Sequence, residues 1–347
     1  MVTTEKHLPD GGPRPRICVI TDGGQQMGMG HVQQSTTLAK ALRRSADVFF
    51  LTKSDEHVVA AISEAGFKVS ALADDAQIFA LLQSAPPDVV LFDKIDVDVG
   101  LARQIRAGLP SRLVIFTNLT AANAVAHMVV LQRAADLGTD PASRFRNEAF
   151  TDPTSGTRYF YGPRYWVLRP EFHAYRQRGK TPRRPPQRIL LAFGGSDPTN
   201  LTSVVLDTLL GGETLNAIDV ILGRHFAHQD AVERVLERHP ERRQAVTLHR
   251  NVSNVAELMY AADLAITAAG ISMFEALCVG TPVIVIPQDT LQRDTYRGVM
   301  RLLEVDELAQ LGDIIGRGDF SSSGNPIIAA MEIGDGLEEL IDSILPQ

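Results

Sequence analysis

The feature that most constrains the fold is a regular alternation of short apolar runs and longer amphipathic stretches. In the first half of the chain the apolar runs read RICVIT, ADVFFLT, DVVLFD, RLVIFT and HMVVLQ. Stretches with a helical spacing of apolar residues, such as QSTTLAKALRR and DEHVVAAISEAG, lie between them. Buried strands that alternate with amphipathic helices are typical of βαβ units, so the pattern predicts a parallel sheet covered by helices.

A second series of the same kind follows, with the apolar runs RILLAF, IDVILG, AVTLH, ADLAIT and PVIVIP. The two series are separated by Arg169–Gln187, which is basic and rich in proline, as interdomain linkers often are. A chain of 347 residues is also long enough for two cores. We therefore predict an α/β protein with a Rossmann-like domain at 1–168, a linker at 169–187 and a second Rossmann-like domain at 188–347, whose last helix is free to pack back on the first. The polar region Gly138–Gly156 is assigned no element.

Charge and cysteine usage exclude several classes of protein. The formal net charge of −7 argues against binding to nucleic acid or to a membrane surface, because both depend on positive potential. No apolar run reaches the length of a membrane span, and the first sixteen residues hold no apolar signal-peptide segment. Cys18 and Cys278 lie in apolar runs far apart in sequence, which is typical of buried thiols in a reducing compartment. We expect a cytoplasmic protein.

Ligands of open parallel sheets bind beyond the carboxyl ends of the strands, so the loops at those ends are the candidate sites. In LLAFGGSDPTNLT, Leu190 to Thr202, Gly194 and Gly195 follow a strand and a helix starts near Asn200. Glycines allow close approach of the backbone, and a helix N-terminus favours an anion, so the loop is a candidate phosphate site. A plain turn capped by Asp197 or Asn200 explains the same pattern.

A second candidate loop follows the strand ADLAIT. It contains Gly270, and a helix begins near Ser272 and carries Glu275 about one turn in. A carboxylate at that position can accept hydrogen bonds from two ribose hydroxyls. The alternative for Glu275 is an acidic residue that complements the helix dipole.

The third candidate is TDGGQQMGMGHVQQSTTLAKAL, Thr21 to Leu42. Gly28 and Gly30 precede His31, but position 33 is Gln33 and no Lys-Ser or Lys-Thr follows the glycines, so neither a dinucleotide fingerprint nor a Walker loop is present. At a helix start the positive dipole end keeps an imidazole neutral and able to accept a proton. The alternative is a histidine bonded only to solvent or backbone.

These stretches together resemble the GT-B class of sugar-nucleotide enzymes, in which two Rossmann-like domains face each other across a cleft. GMGHVQQSTTLA, VVLFD, YGPRYWVLRPEF, LLAFGGSDPTNLT and ADLAITAAGISMFEALCVGTPVIVI resemble, in order, motifs of the UDP-sugar hydrolase of pseudaminic acid biosynthesis and its relatives. The peptidoglycan N-acetylglucosaminyl transferase is a more distant relative of that hydrolase. The resemblance extends from Arg16 to about Leu303, and the order of the five motifs makes it specific.

The resemblance implies roles for individual residues. It assigns donor binding to Gly194, Gly195, Ser196, Asn251, Val252, Gly270, Ile271, Ser272, Glu275 and Gln292. By analogy the glycine loops approach the diphosphate, Glu275 binds the ribose, the backbone at Asn251 and Val252 borders the uracil, and Gln292 contacts the donor sugar. The asparagine that accompanies this glutamine in the family is replaced by Leu291.

In the first domain, His31 matches the family's catalytic histidine, and Asp93 and Tyr165 match positions near the cleft. We assign catalysis to His31 and Asp93, and the acceptor or sugar cleft to Gly28, Gly30, Gln34 and Tyr165. The hydrolases usually carry arginine where this chain has Gln34. This departure indicates the same donor class with a different second substrate.

The resemblance therefore implies an inverting glycosyltransferase that uses a UDP-sugar and a small acceptor, with no metal and no cofactor. Relatives include a synthase that joins cytosine to glucuronic acid from UDP-glucuronate, so UDP-glucuronate and a free nucleobase are the candidate substrates of an antibiotic-type pathway. Arg164 and Arg169 are candidates for a sugar carboxylate, with surface or linker arginines as the alternative. The DVDVG stretch, Asp96 to Gly100, is a weak metal alternative.

Two other functions stay open at this point. One is a UDP-sugar hydrolase, in which His31 activates water. The other is a non-catalytic subunit that binds a nucleotide sugar. We also leave a homodimer open.

Overall fold

The computed structural model describes residues 13–24, 28–131, 145–212, 217–322 and 324–346. The expectations for the N-terminal twelve residues, for 25–27 of the glycine loop and for 138–144 of the unassigned region lie outside the described residues. The chain forms two compact units. The first holds the described residues up to 131, then 147–161 and those from Asp335 on, and the second holds 145–146 and Gly162–Gly334. The predicted boundaries at 168 and 188 stay a prediction.

The first unit is an eight-stranded sheet flanked by helices. Its strands are β1 Arg16–Thr21, β2 Asp47–Thr52, β3 Lys68–Ala71, β4 Val89–Asp93, β5 Arg112–Phe116, β6 Met128–Leu131, β7 Glu148–Thr151 and β8 Arg158–Tyr161. Its helices are α1 Gly30–Leu42, α2 Glu56–Glu64, α3 Ala76–Ser84, α4 Val99–Gly108 and, near the C-terminus, α13 Leu337–Ile344, with a 3-10 turn at Ala121–Val125.

The strand order is β3-β2-β1-β4-β5-β6-β8-β7. All neighbours are parallel except β7 and β8. All five residues of β4 are buried, and β1 is buried after its first residue. The apolar runs of these two strands are therefore continuous because helices cover both faces of the central sheet.

The second unit is a five-stranded parallel sheet with the order β11-β10-β9-β12-β13. Its strands are β9 Arg188–Ala192, β10 Ala217–Leu222, β11 Val246–Arg250, β12 Leu264–Thr267 and β13 Val283–Val285. Its helices are α5 Pro170–Gln177, α6 Leu201–Gly211, α7 Gln229–Arg238, α8 Val255–Ala261, α9 Ile271–Cys278, α10 Thr290–Tyr296, α11 Leu311–Arg317 and α12 Pro326–Ala330. Short 3-10 turns occupy Pro163–Tyr165, Pro240–Ala245 and Val305–Gln310.

All ten apolar runs form strands, and the structure adds three that the sequence patterns did not indicate, namely β3, β7 and β8. The segment interpreted as a linker contains α5, which begins at Pro170, a residue favoured at the first position of a helix. Phe172 of α5 is fully buried in the core of the second unit. Cys18 and Cys278 are buried free thiols, as expected, and burial raises the pKa of the Cys18 thiol.

Candidate active site

The strand order of the first unit fixes where a ligand can bind. From β1 the chain moves to β2 and β3 on one side, and from β4 to β5 and β6 on the other. The loops that follow β1 and β4 therefore diverge at the carboxyl edge of the sheet. Such a switch point leaves a crevice, which is where open α/β sheets bind ligands. His31 is the second residue of α1, just after the loop that follows β1, and Asp93 is the last residue of β4.

The structure brings His31 and Asp93 into contact. Nδ1 of His31 lies 2.8 Å from Oδ1 of Asp93, and 17% of the His31 side chain is exposed whereas Asp93 is buried. An ionised carboxylate accepts the Nδ1–H of a neutral imidazole, and the lone pair of that tautomer then lies on Nε2. A histidine oriented in this way by a buried aspartate is suited to act as a general base.

Three further groups fix the Asp93 carboxylate. Gln34 Nε2 and Ser35 Oγ donate to its Oδ2 at 3.0 and 2.9 Å, and Thr117 Oγ1 donates to its Oδ1 at 3.3 Å. Because His31, Gln34 and Ser35 stand three and four residues apart near the start of α1, they share one helix face. That face meets the end of β4, and the carboxylate accepts hydrogen bonds from every side.

Gln34 was assigned to the sugar cleft, and the structure places it deep beside Asp93. It is 4% exposed, and its amide nitrogen also donates to Thr117 Oγ1 at 3.3 Å. Contact between Gln34 and a sugar stays a prediction. Sequence reasoning missed Ser35 and Thr117. The helical spacing from His31 was a usable signal for Ser35, whereas Thr117 follows a different strand and carried none.

The glycine loop of the first unit closes on itself. The backbones of Gly24 and Gly28 exchange two hydrogen bonds, of 3.1 and 2.8 Å. No described atom lies within 4 Å of a Cβ built on Gly28 or Gly30. None of the described residues therefore fills the space beside the start of α1, next to His31.

A buried ion-pair cluster lies at the same sheet edge. Lys94, 4% exposed, places Nζ 2.9 Å from Oδ2 of Asp22 and 3.1 Å from Oδ1 of Asp75. The two acids of the weak metal alternative have other partners. Asp96 lies 3.9 Å from the same Nζ, and Asp98 caps α4. Among the described residues, no group of three or more histidines, cysteines and acids could hold a metal ion.

The second unit has its own switch point, between β9 and β12. The loop after β9 holds Gly194, Gly195 and Ser196, and the loop after β12 holds Gly270. Gly194 has a φ of +89°, which favours glycine. No described atom lies within 4 Å of a Cβ built on Gly194, Gly195 or Gly270. Both loops thus present backbone to open space.

The helices that follow these loops begin differently. Both carboxylate oxygens of Asp197 accept first-turn amides of α6, from Leu201 at 2.9 Å and Thr202 at 2.8 Å. The cap anticipated from the sequence is therefore Asp197, since Asn200 makes no capping bond with its side chain. The N-cap of α9 is Gly270, which has no side chain to cap the helix. An anion at this edge would therefore meet uncapped helix amides at Ile271 and Ser272 and only loop amides at Gly194–Ser196.

The loop after β9 is held by a close backbone approach. A Cβ on Gly223, just after β10, would lie 2.3 Å from the carbonyl oxygen of Gly195. The same oxygen accepts the amide of His225 at 3.1 Å. Only glycine at position 223 lets the loops after β9 and β10 lie this close together.

Glu275 lies in α9 and is 5% exposed. Its Oε1 is 3.3 Å from Nη2 of Arg169. Burial raises the pKa of Glu275 to about 7, and the Arg169 guanidinium works against that rise. Arg169 also lies 3.3 Å from Glu171, and Arg164 pairs with Glu332 at 2.6 Å. Both arginines considered for a sugar carboxylate thus already have acidic partners.

The remaining predicted donor residues follow other strands of the same sheet edge. Asn251, with a φ of +51°, comes directly after β11, and Val252 is half-buried beside it. After β13, Oε1 of Gln292 accepts the amide of Gln288 at 2.9 Å, and Leu291 is 50% exposed. Tyr165 was assigned to the first domain but is buried in the second unit. The donor and acceptor roles of these residues stay predictions.

Solved structures with similar folds are glycosyltransferases. They include Acinetobacter baumannii MurG, with a TM-score of 0.58 and 15% identity over 95% of this chain and 99% of that one. CalG4, the calicheamicin glycosyltransferase, has a TM-score of 0.60 and 14% identity over 95% and 97% of the two chains. Anabaena HepE, solved in complex with UDP-glucose, has a TM-score of 0.53 and 14% identity over 94% and 95%. The chain has the GT-B fold of these enzymes.

Sequence relatives define the family. The spore coat polysaccharide biosynthesis protein SpsG of Bacillus subtilis is 30% identical over 287 residues, which cover 81% of this chain and 80% of SpsG. The chain belongs to the SpsG family. The uncharacterized protein MJ1062 of Methanocaldococcus jannaschii is 36% identical over 334 residues, 95% of this chain, and the chain spans 66% of that relative's length. No protein-family model matches the chain. No helix in the described residues is long and apolar enough to cross a membrane.

Proposed function

We propose that the chain is a UDP-sugar-dependent glycosyltransferase that inverts the anomeric centre without a metal ion. The observation that carries the proposal is the contact of His31 with a buried Asp93 at the switch point of the first sheet. Three other donors hold the Asp93 carboxylate, which in turn orients the imidazole of His31. Proton abstraction from an acceptor needs a base oriented in this way. The GT-B fold and the SpsG relationship support sugar transfer as the reaction.

The donor is proposed to bind at the switch point of the second sheet. The diphosphate accepts hydrogen bonds from the backbone at Gly194–Ser196 and at the uncapped start of α9. Glu275 binds the ribose hydroxyls, Asn251 and Val252 border the uracil, and Gln292 contacts the sugar. The open space at the glycine loops and the burial of Glu275 support this assignment.

The chemical step follows from these parts. Nε2 of His31 takes the proton of the acceptor nucleophile, which forms a bond to the anomeric carbon. The bond from that carbon to the β-phosphate oxygen breaks, and its electron pair leaves with UDP. Backbone amides stabilise the charge that grows on the departing diphosphate. Attack opposite the leaving group gives inversion.

For the substrates we propose UDP-glucuronate and a small acceptor such as a free nucleobase, on the resemblance to the cytosine-transferring synthase. The name of SpsG points to polysaccharide biosynthesis for that relative, so a sugar acceptor belongs in the same screen. Because Arg164 and Arg169 are already paired, the donor panel includes neutral UDP-sugars with equal weight.

A substrate screen tests the proposal. The protein is incubated with UDP-glucuronate, UDP-glucose and UDP-N-acetylglucosamine, each with and without nucleobases and sugars, and UDP release and product mass are measured. We expect release that requires an acceptor and a product that carries the sugar. Release without any acceptor would instead identify a hydrolase. UDP binding without turnover, unchanged in His31→Ala, would identify a non-catalytic subunit.

A further inference from the structure

The two oxygens of the Glu275 carboxylate have different surroundings. Oε1 faces Nη2 of Arg169 at 3.3 Å, whereas Oε2 makes no hydrogen bond or ion pair with any residue in the part of the chain that the structure describes. Although the side chain is only 5% exposed, Oε2 is not one of the fully buried oxygens without a partner among the described residues, so a ligand can reach it. The arrangement leaves Oε2, and the second lone pair of Oε1, for a ligand.

Arg169 is itself held from two sides. Its Nη1 lies 3.3 Å from Oε1 of Glu171, and its guanidinium carbon lies 4.8 Å from the centre of the Phe172 ring. Phe172 is fully buried. The planar guanidinium therefore stacks on Phe172 and pairs with Glu171. Arg169 directly precedes α5, and its side chain extends to Glu275 of α9. A lysine offers only a point charge in place of this fork.

We propose that Arg169 is a positioning residue that orients the Glu275 carboxylate for the two hydroxyls of a bound ribose. This inference rests on the proposed function of Glu275. A diol donates two hydrogen bonds, and only the ionised carboxylate can accept both with both oxygens. Arg169 fixes the plane of the carboxylate and supplies the positive charge that offsets its burial. It acts on the nucleotide through Glu275 and not by direct contact with the ribose.

The test compares UDP with 2′-deoxyuridine 5′-diphosphate by titration calorimetry, because the second nucleotide lacks one of the two hydroxyls. Wild type should bind UDP about tenfold more tightly than the deoxy nucleotide. Glu275→Gln and Arg169→Gln should each bring this ratio close to one, and the double variant should have the same ratio as either single variant. If Arg169 has only a structural role, Arg169→Gln should lower the affinity for both nucleotides equally and leave their ratio unchanged.

The matched control is Arg178→Gln. Arg178 is exposed, and its guanidinium carbon lies 4.2 Å from the centre of the Tyr175 ring on the same helix, so its loss removes a comparable stacking contact and should keep the wild-type ratio. If Arg169→Gln does not fold, Arg169→Lys replaces it, and the ratio should still fall several-fold.

The outcomes separate the inference from the function beneath it. If Glu275→Gln loses the discrimination but the Arg169 variant keeps the wild-type ratio, the positioning role is wrong and the ribose site stands. If wild type binds UDP and the deoxy nucleotide equally, or binds neither, the proposed role of Glu275 in donor binding is wrong.

Discussion

The two switch points of this molecule occupy the same place in their sheets but are built from different groups. In the first unit, four side chains surround one carboxylate at the end of β4. In the second, two glycine loops present backbone to open space, buried Asp197 caps α6, and buried Glu275 meets a single arginine. Hydrogen-bonded side chains thus surround the switch point of the first sheet, whereas mainly backbone lines that of the second.

The difference matches two physical tasks. Proton transfer needs one group held in one tautomer and one direction, so a dense polar network around Asp93 is useful. A diphosphate spreads its charge over many oxygens and is best met by several amides, so side chains must be absent. The four predictions that follow test this contrast, beginning with the largest effect.

His31→Ala should lower kcat by roughly two orders of magnitude or more, because the proposed general base is lost. UDP affinity should stay within about twofold of wild type, because His31 lies in the first unit and the proposed UDP site lies in the second. Turnover in the acceptor-dependent assay and UDP calorimetry measure the two quantities. His57→Ala, at an exposed histidine of α2, is the control and should match wild type. Full activity of His31→Ala would contradict the proposed role of His31 as general base.

Gly194→Ala should weaken UDP binding by about 10- to 30-fold, because a Cβ at φ +89° strains the loop and occupies its open side. Calorimetry with UDP gives the loss. Gly179→Ala controls for backbone strain, since Gly179 has a φ of +67° and also has no described atom within 4 Å of an added Cβ. Equal UDP affinity in Gly194→Ala and wild type would contradict diphosphate binding at this loop.

Glu275→Gln should flatten the pH dependence of stability. The folded pKa of Glu275 is raised from 4.5 to about 7, so the folded state binds a proton that the unfolded state has released. Wild type is therefore expected to lose roughly 3 kcal/mol of stability relative to Glu275→Gln, most of it as the pH rises from about 4.5 to 7. Urea unfolding at a series of pH values measures this difference.

The charged groups that act on Glu275 are Arg169 and Glu171, so both are left intact in that experiment. Glu241→Gln, at an exposed glutamate of the same unit, is the control and should keep the wild-type slope. A wild-type profile that is already flat between pH 4.5 and 7 would mean that Glu275 is not desolvated as the structure shows it.

Gln34→Leu should have the smallest effect, a reduction of kcat by about 5- to 10-fold, because Asp93 loses one of its donors but keeps His31, Ser35 and Thr117. Gln33→Leu, on the exposed side of the same helix, controls for helix propensity and surface change. A raised KM with unchanged kcat would favour the sugar-contact role originally assigned to Gln34.

The sequence was sufficient for strands with a continuous apolar run and insufficient for the mostly exposed edge strands β3 and β7. β4 is continuous apolar sequence because helices cover both of its faces. β3, with the sequence KVSA, and β7 are edge strands with mostly exposed residues, so they have no apolar pattern to read. α5 was obscured by the prolines and basic residues around it, although Pro170 and Phe172 are the residues that start and anchor it.

The candidate site divides in the same way. Glycines, helix starts and His31 are local features, and their places at the strand ends follow from short-range patterns. The partners of these residues are set by tertiary packing. Thr117 lies 24 residues from Asp93, and Arg169 lies 106 residues from Glu275. No spacing rule connects such positions, so the sequence pointed to His31, Asp93 and Glu275 but not to the contacts of Thr117 with Asp93 and of Arg169 with Glu275.

The narrow gap between Gly223 and the carbonyl of Gly195 makes position 223 a diagnostic marker within the family. Any side chain there would collide with main chain and not with a movable group, so the loop after β9 would have to be rebuilt to accept it. A family member in which this glycine has been replaced is therefore expected to have a different loop after β9, even when its Gly-Gly-Ser triplet is intact. In a sequence alignment, position 223 alone can thus distinguish chains that share only the sequence of this loop from chains that also share its conformation.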